Sequence, residues 1–369
     1  MRLRNIQLEN FRNHRSLAFA PEEGITVLFG PNGSGKTSVL EAVHFCALTK
    51  SLLGSPESEC VRFTDEYFLL SSTFESTRGS GLEVRVSFGK ERGKQISLNR
   101  NEVRPFSAHV GTIPCITFSP PETAIVSGSP GERRRFIDNA ASQSDRRYLE
   151  ELLDYRRVLQ QRNALLQQLD SPSASNGEML DLWSENLADL AAAITLRRID
   201  FLRNLSHYFE PLQESLADGG SHSVVYRSSF GTIEEGLSRD DLRRRFLKRL
   251  MDTRRQEMMR GQTMSGPHRD DLLFISNGKE IKKYGSQGQQ RAFLISLKLA
   301  LFRYFSERLP ESPICLFDDM FSELDQHRTA QIFRILEKCG QTIVTTTDGG
   351  LGPDYTAVDV TSLPGYTEG

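Results

Sequence analysis

The sequence predicts an α/β fold: a mixed core sheet with an antiparallel β subdomain, interrupted by an inserted, mainly helical second domain. Three observations carry this. An apolar run, Ile25 to Phe29, feeds a glycine-rich loop that opens a helical pattern, in the order strand, loop, helix. From about Tyr67 to Arg100 the hydrophobic period is two, as in half-solvated antiparallel strands. A loop signal at Gly128-Ser129-Pro130-Gly131 starts a long stretch of helical period, after which short apolar strands return. The head is therefore expected over residues 1–128 and 262–369, and an inserted helical arm domain over 129–261.

A chain of 369 residues has room for two domains, or for one domain with a large insertion. Its 46 Lys+Arg against 48 Asp+Glu give a net charge of −2, so any polyanion site must be local. Hydrophobic content of 38% and mean hydropathy of −0.42 suit a soluble protein. No stretch approaches the ~20 apolar residues of a membrane span and the N-terminus lacks a signal-peptide core, so a cytoplasmic location is expected. The cysteines 46, 60, 115, 315 and 339 are odd in number and irregularly spaced, which reads as buried free thiols.

Taking the elements in order, Ile6 and Leu8 alternate with polar neighbours, and Leu17 and Phe19 do the same after a polar segment, predicting a hairpin. The loop that follows Phe29 is Gly30-Pro31-Asn32-Gly33-Ser34-Gly35-Lys36-Thr37, the pattern G-x-x-x-x-G-K-[ST]. Its glycines let successive N–H groups turn inward around a polyphosphate at a helix start. Lys36 would reach the β- and γ-phosphates of a nucleoside triphosphate and the Thr37 hydroxyl would hold Mg²⁺. Val39, Leu40, Val43, Cys46 and Ala47 then predict a helix burying one stripe. In the β segment, Leu82, Val84, Val86 and Phe88 face one way, and Cys115 to Phe118 is a further strand ended by Pro-Pro.

The insertion predicts one helix from Glu132 to about Leu169, a polar turn at Asp170 to Gly177, and a second long helix through Leu180, Leu187, Ile194 and Leu205. Two amphipathic helices joined by such a turn form an antiparallel hairpin. Arg239 to Arg260 is a further helix in which basic residues outnumber acids; it is either a solvated face paired to Asp240, Asp241, Asp252 and Glu257, or a polyanion contact.

Beyond the insertion, Leu272 to Ser276, Asn277-Gly278 and Lys279 to Tyr284 read as a type I′ hairpin. Gly285-Ser286-Gln287-Gly288-Gln289-Gln290 opens a helix, and is either a second anion site or only a helix cap. Ile314 to Phe317 is a continuous apolar run ending in Asp318-Asp319, where open α/β sheets place ligands. Asp318 is placed to hold Mg²⁺ and Asp319 to orient or deprotonate an attacking water. Thr342 to Thr347 is another strand, ending at Asp348.

This order of phosphate loop, Ser-Gln-Gly-Gln helix start and apolar strand ending in acids, with Ser322-Glu323-Leu324-Asp325 after it, resembles the ABC-type P-loop ATPase heads of the Rad50 and SMC group. Within that group the chain resembles the RecF family. Asn10-Phe11-Arg12-Asn13, Phe118-Ser119-Pro120 with Glu122, Arg133-Arg134-Arg135-Phe136 and Ser265-Gly266-Pro267-His268-Arg269-Asp270-Asp271 match it. The resemblance implies two heads closing head to tail around two ATP molecules. Gly30 to Thr37, with Ser38 and Arg12, would bind the nucleotide, and Lys36, Thr37, Asp318 and Asp319 would act on it in cis. Ser286, Gln287 and Gly288 would act in trans, with Asp325 in the loop between the sites. It implies ATP and Mg²⁺ as cofactors, duplex or gapped DNA and RecR- and RecO-type mediators as partners, slow DNA-stimulated hydrolysis, and a role in recombinational repair and recombinase loading. Asp319 stands where transporter ATPases carry Glu, Thr347 stands at their switch histidine, and no glutamine falls clearly between Phe118 and Glu122.

Two other functions compete: a nucleotide-binding subunit of a transporter, against which the insertion and the Ser265 to Asp271 motif weigh, and an ATP-gated scaffold without turnover. For DNA, the expected contacts are Arg133, Arg134, Arg135, Arg146, Arg147, Arg243, Arg244, Arg245, Lys248, Arg249, Arg254 and Arg255, reading backbone rather than bases.

Overall fold

Alternating hydrophobicity at the N-terminus becomes β1 (Arg2–Phe11) and β2 (His14–Phe19), antiparallel with Leu8 opposite Leu17. β3 (Ile25–Phe29) is an apolar run with four of its five residues buried, and it delivers the glycine loop to α1 (Lys36–Leu48). The one-turn α2 (Glu57–Cys60) leads into the meander β4 (Tyr67–Glu75), β5 (Gly81–Gly89) and β6 (Gly93–Leu98), followed by the short β7 (Asn101–Glu102). These strands form a six-stranded antiparallel sheet in the order β2-β1-β4-β5-β6-β7. β8 (Cys115–Phe118) leaves for a different sheet. The computed structural model describes residues 1–77, 79–168, 174–216, 220–234, 236–321, 326–347 and 355–367; Ser322 to Asp325, Asp348 and residues 170–173 of the expected polar turn lie outside them.

The insertion begins with α3 (Ala124–Ser127) and α4 (Pro130–Ser144), then α5 (Arg146–Gln168) and α6 (Ala174–Leu216). The single helix expected from Glu132 to Leu169 is thus two. Asp145 has an extended backbone, and its carboxylate accepts from the N–H groups of Arg147 at 2.9 Å and Tyr148 at 3.2 Å, capping a new helix. The α5–α6 pair is antiparallel, since Arg197 meets Glu151 while Arg162 meets Ser184. β9 (His222–Arg227), α7 (Arg239–Arg260), β10 (Asp271–Ser276), β11 (Lys279–Glu280) and α8 (Ile281–Tyr284) follow. Asn277 and Gly278 have φ of 50° and 73°, as a type I′ turn needs, but the returning arm pairs over only two residues before Ile281 to Tyr284 coils into a helical turn.

Finally α9 (Gln287–Arg308), β12 (Ile314–Asp318), α10 (Gln326–Leu336), β13 (Thr342–Thr346) and β14 (Thr356–Asp359) complete a five-stranded sheet, order β14-β3-β13-β12-β8. Every pairing in it is parallel, which explains why its strands read as unbroken apolar runs. Parallel and antiparallel strands are thereby separated into two sheets. α1 contacts β1 and β4 of one and β12 and β13 of the other. Its residues Val39 to Leu48 are all buried, not one stripe of them, because a helix between two sheets has no solvent face. Phe11, Phe45 and Phe68 meet edge to face at 5.2–6.1 Å where β1, α1 and β4 converge. All five cysteines are buried free thiols.

The chain divides into two compact units, one of Met1–Thr123, Pro211–Gly219 and Ser286–Gly369, the other of Ala124–Glu210 and Gly220–Gly285. Residues 262–285, expected with the head, fall in the second unit because β10 pairs with β9 along its whole length. Among the described residues no helix is long and apolar enough to cross a membrane.

Candidate nucleotide-binding site

The glycine loop is held from behind by the β1–β2 turn. The Asn13 amide donates to Gly33 O at 3.3 Å, the His14 ring lies 3.1 Å from Gly35 O, and the Ser38 hydroxyl donates to Asn13 Oδ1 at 3.0 Å. Gly35 caps α1 with φ of 88°, and a Cβ there would stand 2.2 Å from His14 Nε2. Two separate constraints therefore require glycine. The Lys36 ammonium donates to Gly30 O at 2.7 Å and Pro31 O at 2.9 Å. Burial pushes its pKa down, while Asp318 and Asp319 pull it back up.

Opposite Lys36, the end of β12 presents its acids. The Asp318 carboxylate accepts from the Thr37 hydroxyl at 2.9 and 3.0 Å and from the Thr345 hydroxyl at 2.6 Å. Burial raises the Asp318 pKa, with the two threonine bonds working against that shift. Asp319 adopts the left-handed region at φ 47°; its N–H donates to Thr345 Oγ1 at 3.1 Å. Its carbonyl accepts from Arg291 Nη2 at 2.6 Å, and the same nitrogen donates to Met320 O at 3.0 Å. Arg12 flanks the loop, bidentate to the buried Glu41 at 2.6 and 2.7 Å, and that pairing raises its pKa.

Arg12, Asn32, Gly33, Gly35, Lys36, Thr37, Ser38, Asp318 and Asp319 line one cavity of 1050 Å³, together with Thr347. Gly30, Pro31 and Ser34 of the same loop do not line it. Ser286, Gln287 and Gly288 do not line this cavity. Ser286 and Gln287 are exposed, and Ser286 forms a capping box with Gln289, accepting from Gln289 N–H at 3.3 Å. Sequence reading missed four participants: His14, Thr345, Arg291 and Phe63. Phe63 is fully exposed on the cavity wall beside Arg62, and a lone aromatic in a short connection gives no periodic signal. The chemistry of the set is that of a phosphate cradle, with a cation at one side and hard oxygen donors at the other.

The expected polyanion contacts divide in the second unit. Arg133 is no surface cation: it is buried, bidentate to Asp271 at 2.7 and 3.0 Å and bonded to Gly128 O. Arg134 donates to Asp270 O at 2.7 Å. Arg135 pairs with Glu132, Arg146 with Glu150, Arg244 with Asp241, Arg245 with Glu234 and Arg254 with Asp181, while Arg249 reaches Ser265 Oγ at 3.4 Å. Arg147, Lys248 and Arg255 are exposed and Arg243 is half-buried. Glu257, expected on the solvated face of α7, is buried and bonded to Arg162 at 2.7 Å, because its helix packs that side inward.

The model of the RecF/RecN/SMC N-terminal domain matches residues 2–353. A DNA replication and repair protein RecF of Chlorobium luteolum (strain DSM 273 / BCRC 81028 / 2530) is 76% identical over the whole of both chains. The chain belongs to the RecF family. Consistent with RecF membership, a recombination mediator protein RecF with ATP, of the RecFOR pathway, superposes with a TM-score of 0.91 at 28% identity, covering 98% of this chain and 96% of that one. An Smc head bound to a winged-helix domain of ScpA shares the fold, with a TM-score of 0.58, 15% identity and coverage of 97% and 94%. The head thus has the ABC-type ATPase fold expected from the sequence.

Proposed function

We propose that this chain is an ATP-dependent, dimerising DNA-binding ATPase of recombinational repair and replication-fork maintenance, working in the cytoplasm with RecR- and RecO-type mediators to load recombinase. The observation that carries the reading is the meeting of Thr37 with Asp318, which brings the start of α1 and the end of β12 to one point opposite Lys36. The RecF relative carries ATP, and the loop here has the residues to cradle the same polyphosphate.

Thr37 Oγ1 and the Asp318 carboxylate fit Mg²⁺, a hard cation that takes one carboxylate, a hydroxyl and substrate phosphates. When bound, the ion supplies charge neutralisation at the β- and γ-phosphates. Lys36 turns from the Gly30 and Pro31 carbonyls to the phosphates. Asp319 orients and deprotonates the attacking water; being a residue shorter than Glu, it stands farther off, and turnover is slow. Phe63 offers its exposed ring to the nucleobase and Arg12 flanks the phosphates. Ser286, Gln287 and Gly288 close on the γ-phosphate held by a second copy, so one chain holds two half-sites. DNA is held through its phosphates by exposed residues such as Arg147, Lys248 and Arg255.

A binding titration tests the whole. ATP with Mg²⁺ should raise duplex affinity, and DNA should raise phosphate release in the wild type above Lys36→Arg and Asp319→Asn. Duplex affinity indifferent to ATP would end the gated-clamp reading, and turnover equal to the variants' would leave only an ATP-gated scaffold.

A further inference from the structure

Ser265-Gly266-Pro267-His268-Arg269-Asp270-Asp271 is the most specific motif of the chain, yet none of it lines the nucleotide cavity. Its side chains and carbonyls are used inside the second unit. Arg198 donates to Pro267 O at 2.8 Å and the Tyr155 hydroxyl bonds His268 Nδ1 at 2.6 Å. The other ring nitrogen of His268 lies 3.2 Å from Thr263 O, so the ring donates there and accepts from Tyr155. A Cβ on Gly266, at φ 137°, would stand 2.4 Å from that same hydroxyl. Asp270 accepts from Ser229 N–H at 2.6 Å and from Tyr226, and Asp271 holds Arg133.

What these bonds build is a cavity of 430 Å³ within the second unit, walled by Arg134, Arg135, Arg156 and Arg198 and by His268. One carboxylate, Asp138, lines it, and that group already accepts from Arg198 at 2.7 Å and Tyr148 at 2.5 Å, leaving Arg156 a long pairing of 3.3 Å. Arg134 forms no ion pair among the described residues, and burial together with the charge of Arg198 pushes its pKa down. The guanidinium groups grade from Arg198 at the floor, 2% exposed, to Arg156 and Arg135 at the rim, 58% and 69% exposed. Ser129, the N-cap of the 15-residue α4, and Gly131, in its first turn, add the positive end of a helix.

We propose that this cavity is a phosphate oxyanion site, and that the oxyanion it takes is a backbone phosphate of bound duplex DNA. Guanidinium forks match phosphate oxygens in pairs. The wall carries no glycine loop for a polyphosphate, while the exposed rim arginines can follow a polymer past the cavity. This rests on the DNA reading above and narrows it from a scatter of surface arginines to one built site. It also gives the Ser265–Asp271 motif a purpose: its bonds orient Arg134 and Arg198.

The test uses the full chain with ATP and Mg²⁺, comparing wild type, the double variant Arg135→Ala/Arg156→Ala, whose side chains are exposed, and Arg156→Lys. Duplex affinity is measured as a function of salt. Losing one phosphate contact should make the log–log slope shallower by about 0.9 and weaken binding about tenfold near 0.1 M salt, with ATP affinity unchanged; Arg156→Lys, which keeps the charge but not the fork, should keep the slope and bind more weakly than wild type. An unchanged slope and affinity in the double variant overturns the site while duplex binding by the wild type stands. Should the wild type not bind duplex, the DNA reading falls with the proposed occupant. Melting in inorganic phosphate against chloride at equal ionic strength then decides the oxyanion site. A phosphate-specific rise lost in the double variant upholds it, and an equal rise or none overturns it.

Discussion

Arg291 Nη2 donates to the main-chain carbonyl of Asp319 at 2.6 Å, and Asp319 is the acid held in the left-handed region at φ 47°. Arg291 lies on the helix opened by Ser286, so the element that would serve a second copy's nucleotide also fixes the acid that would serve this one. Aspartate tolerates this backbone but does not favour it, and the bond to Arg291 and the bond from its N–H to Thr345 keep it there. Arg291→Ala should lower kcat by about 100-fold with little change in ATP affinity, since a misplaced base costs that much. Steady-state turnover beside equilibrium ATP binding checks it; a loss of affinity with kcat intact would contradict it.

Gly35→Ala meets two obstacles, the positive φ and the His14 ring 2.2 Å from the new Cβ. Strain of about 1–2 kcal/mol from φ alone is expected, with the steric term added. Pairing it with His14→Ala should recover part of the melting temperature and little of the ATP affinity, because the ring's bond to the loop is then gone too. Calorimetry and nucleotide titration on the double-mutant cycle separate the two contributions.

His44 is buried in α1 with Nδ1–H donating to Lys50 O at 2.8 Å; burial and nearby Lys50 hold its pKa down at about 3. The sign follows from linkage. Between roughly pH 6.5 and 3 the unfolded chain binds a proton that the folded chain refuses, so stability falls as pH falls through that window. The full effect is on the order of 3–5 kcal/mol. His44→Gln, which can keep the donor, should flatten the acid limb of a stability–pH curve from chemical denaturation. A limb of unchanged slope would assign acid lability elsewhere.

Arg162 and Glu257 form an ion pair with both side chains at 1% exposure or less, 2.7 Å apart, and Arg162 also donates to Thr263 and Ser184. Glu257→Ala strands a buried cation and should cost about 3–5 kcal/mol, whereas Asp241→Ala, which removes the partner of the exposed Arg244, should cost far less because solvent screens that pair. Urea unfolding of the two variants gives the contrast.

Much of the head was legible because single physical causes fix it. The run Ile25 to Phe29 and the run Ile314 to Phe317 had to be doubly buried strands, and the glycine spacing between Gly30 and Gly35 admits few other uses. The alternation of Leu82 to Phe88 likewise named its sheet. What escaped were side chains recruited from far along the chain. Thr345, Arg291 and His14 reach the site through tertiary contacts that carry no period. Arg133 misled for the converse reason: an arginine run looks like a surface, and only the fold shows Asp271 beside it. The break at Asp145 was also written locally, as an aspartate two and three residues ahead of the N–H groups it caps, but helical periodicity runs through it unchanged.

The central claim is that Lys36, Thr37, Asp318 and Asp319 make half of a site completed by Ser286 to Gly288 of another copy. Asp319→Asn should bind ATP and retain it, so light scattering on that variant tests the claim most directly. With ATP, Mg²⁺ and a short duplex, the protein mass should rise from the 41.7 kDa of one chain to twice that, and Ser286→Arg should prevent the rise while leaving ATP bound. A mass that stays at one chain with ATP demonstrably bound contradicts the account.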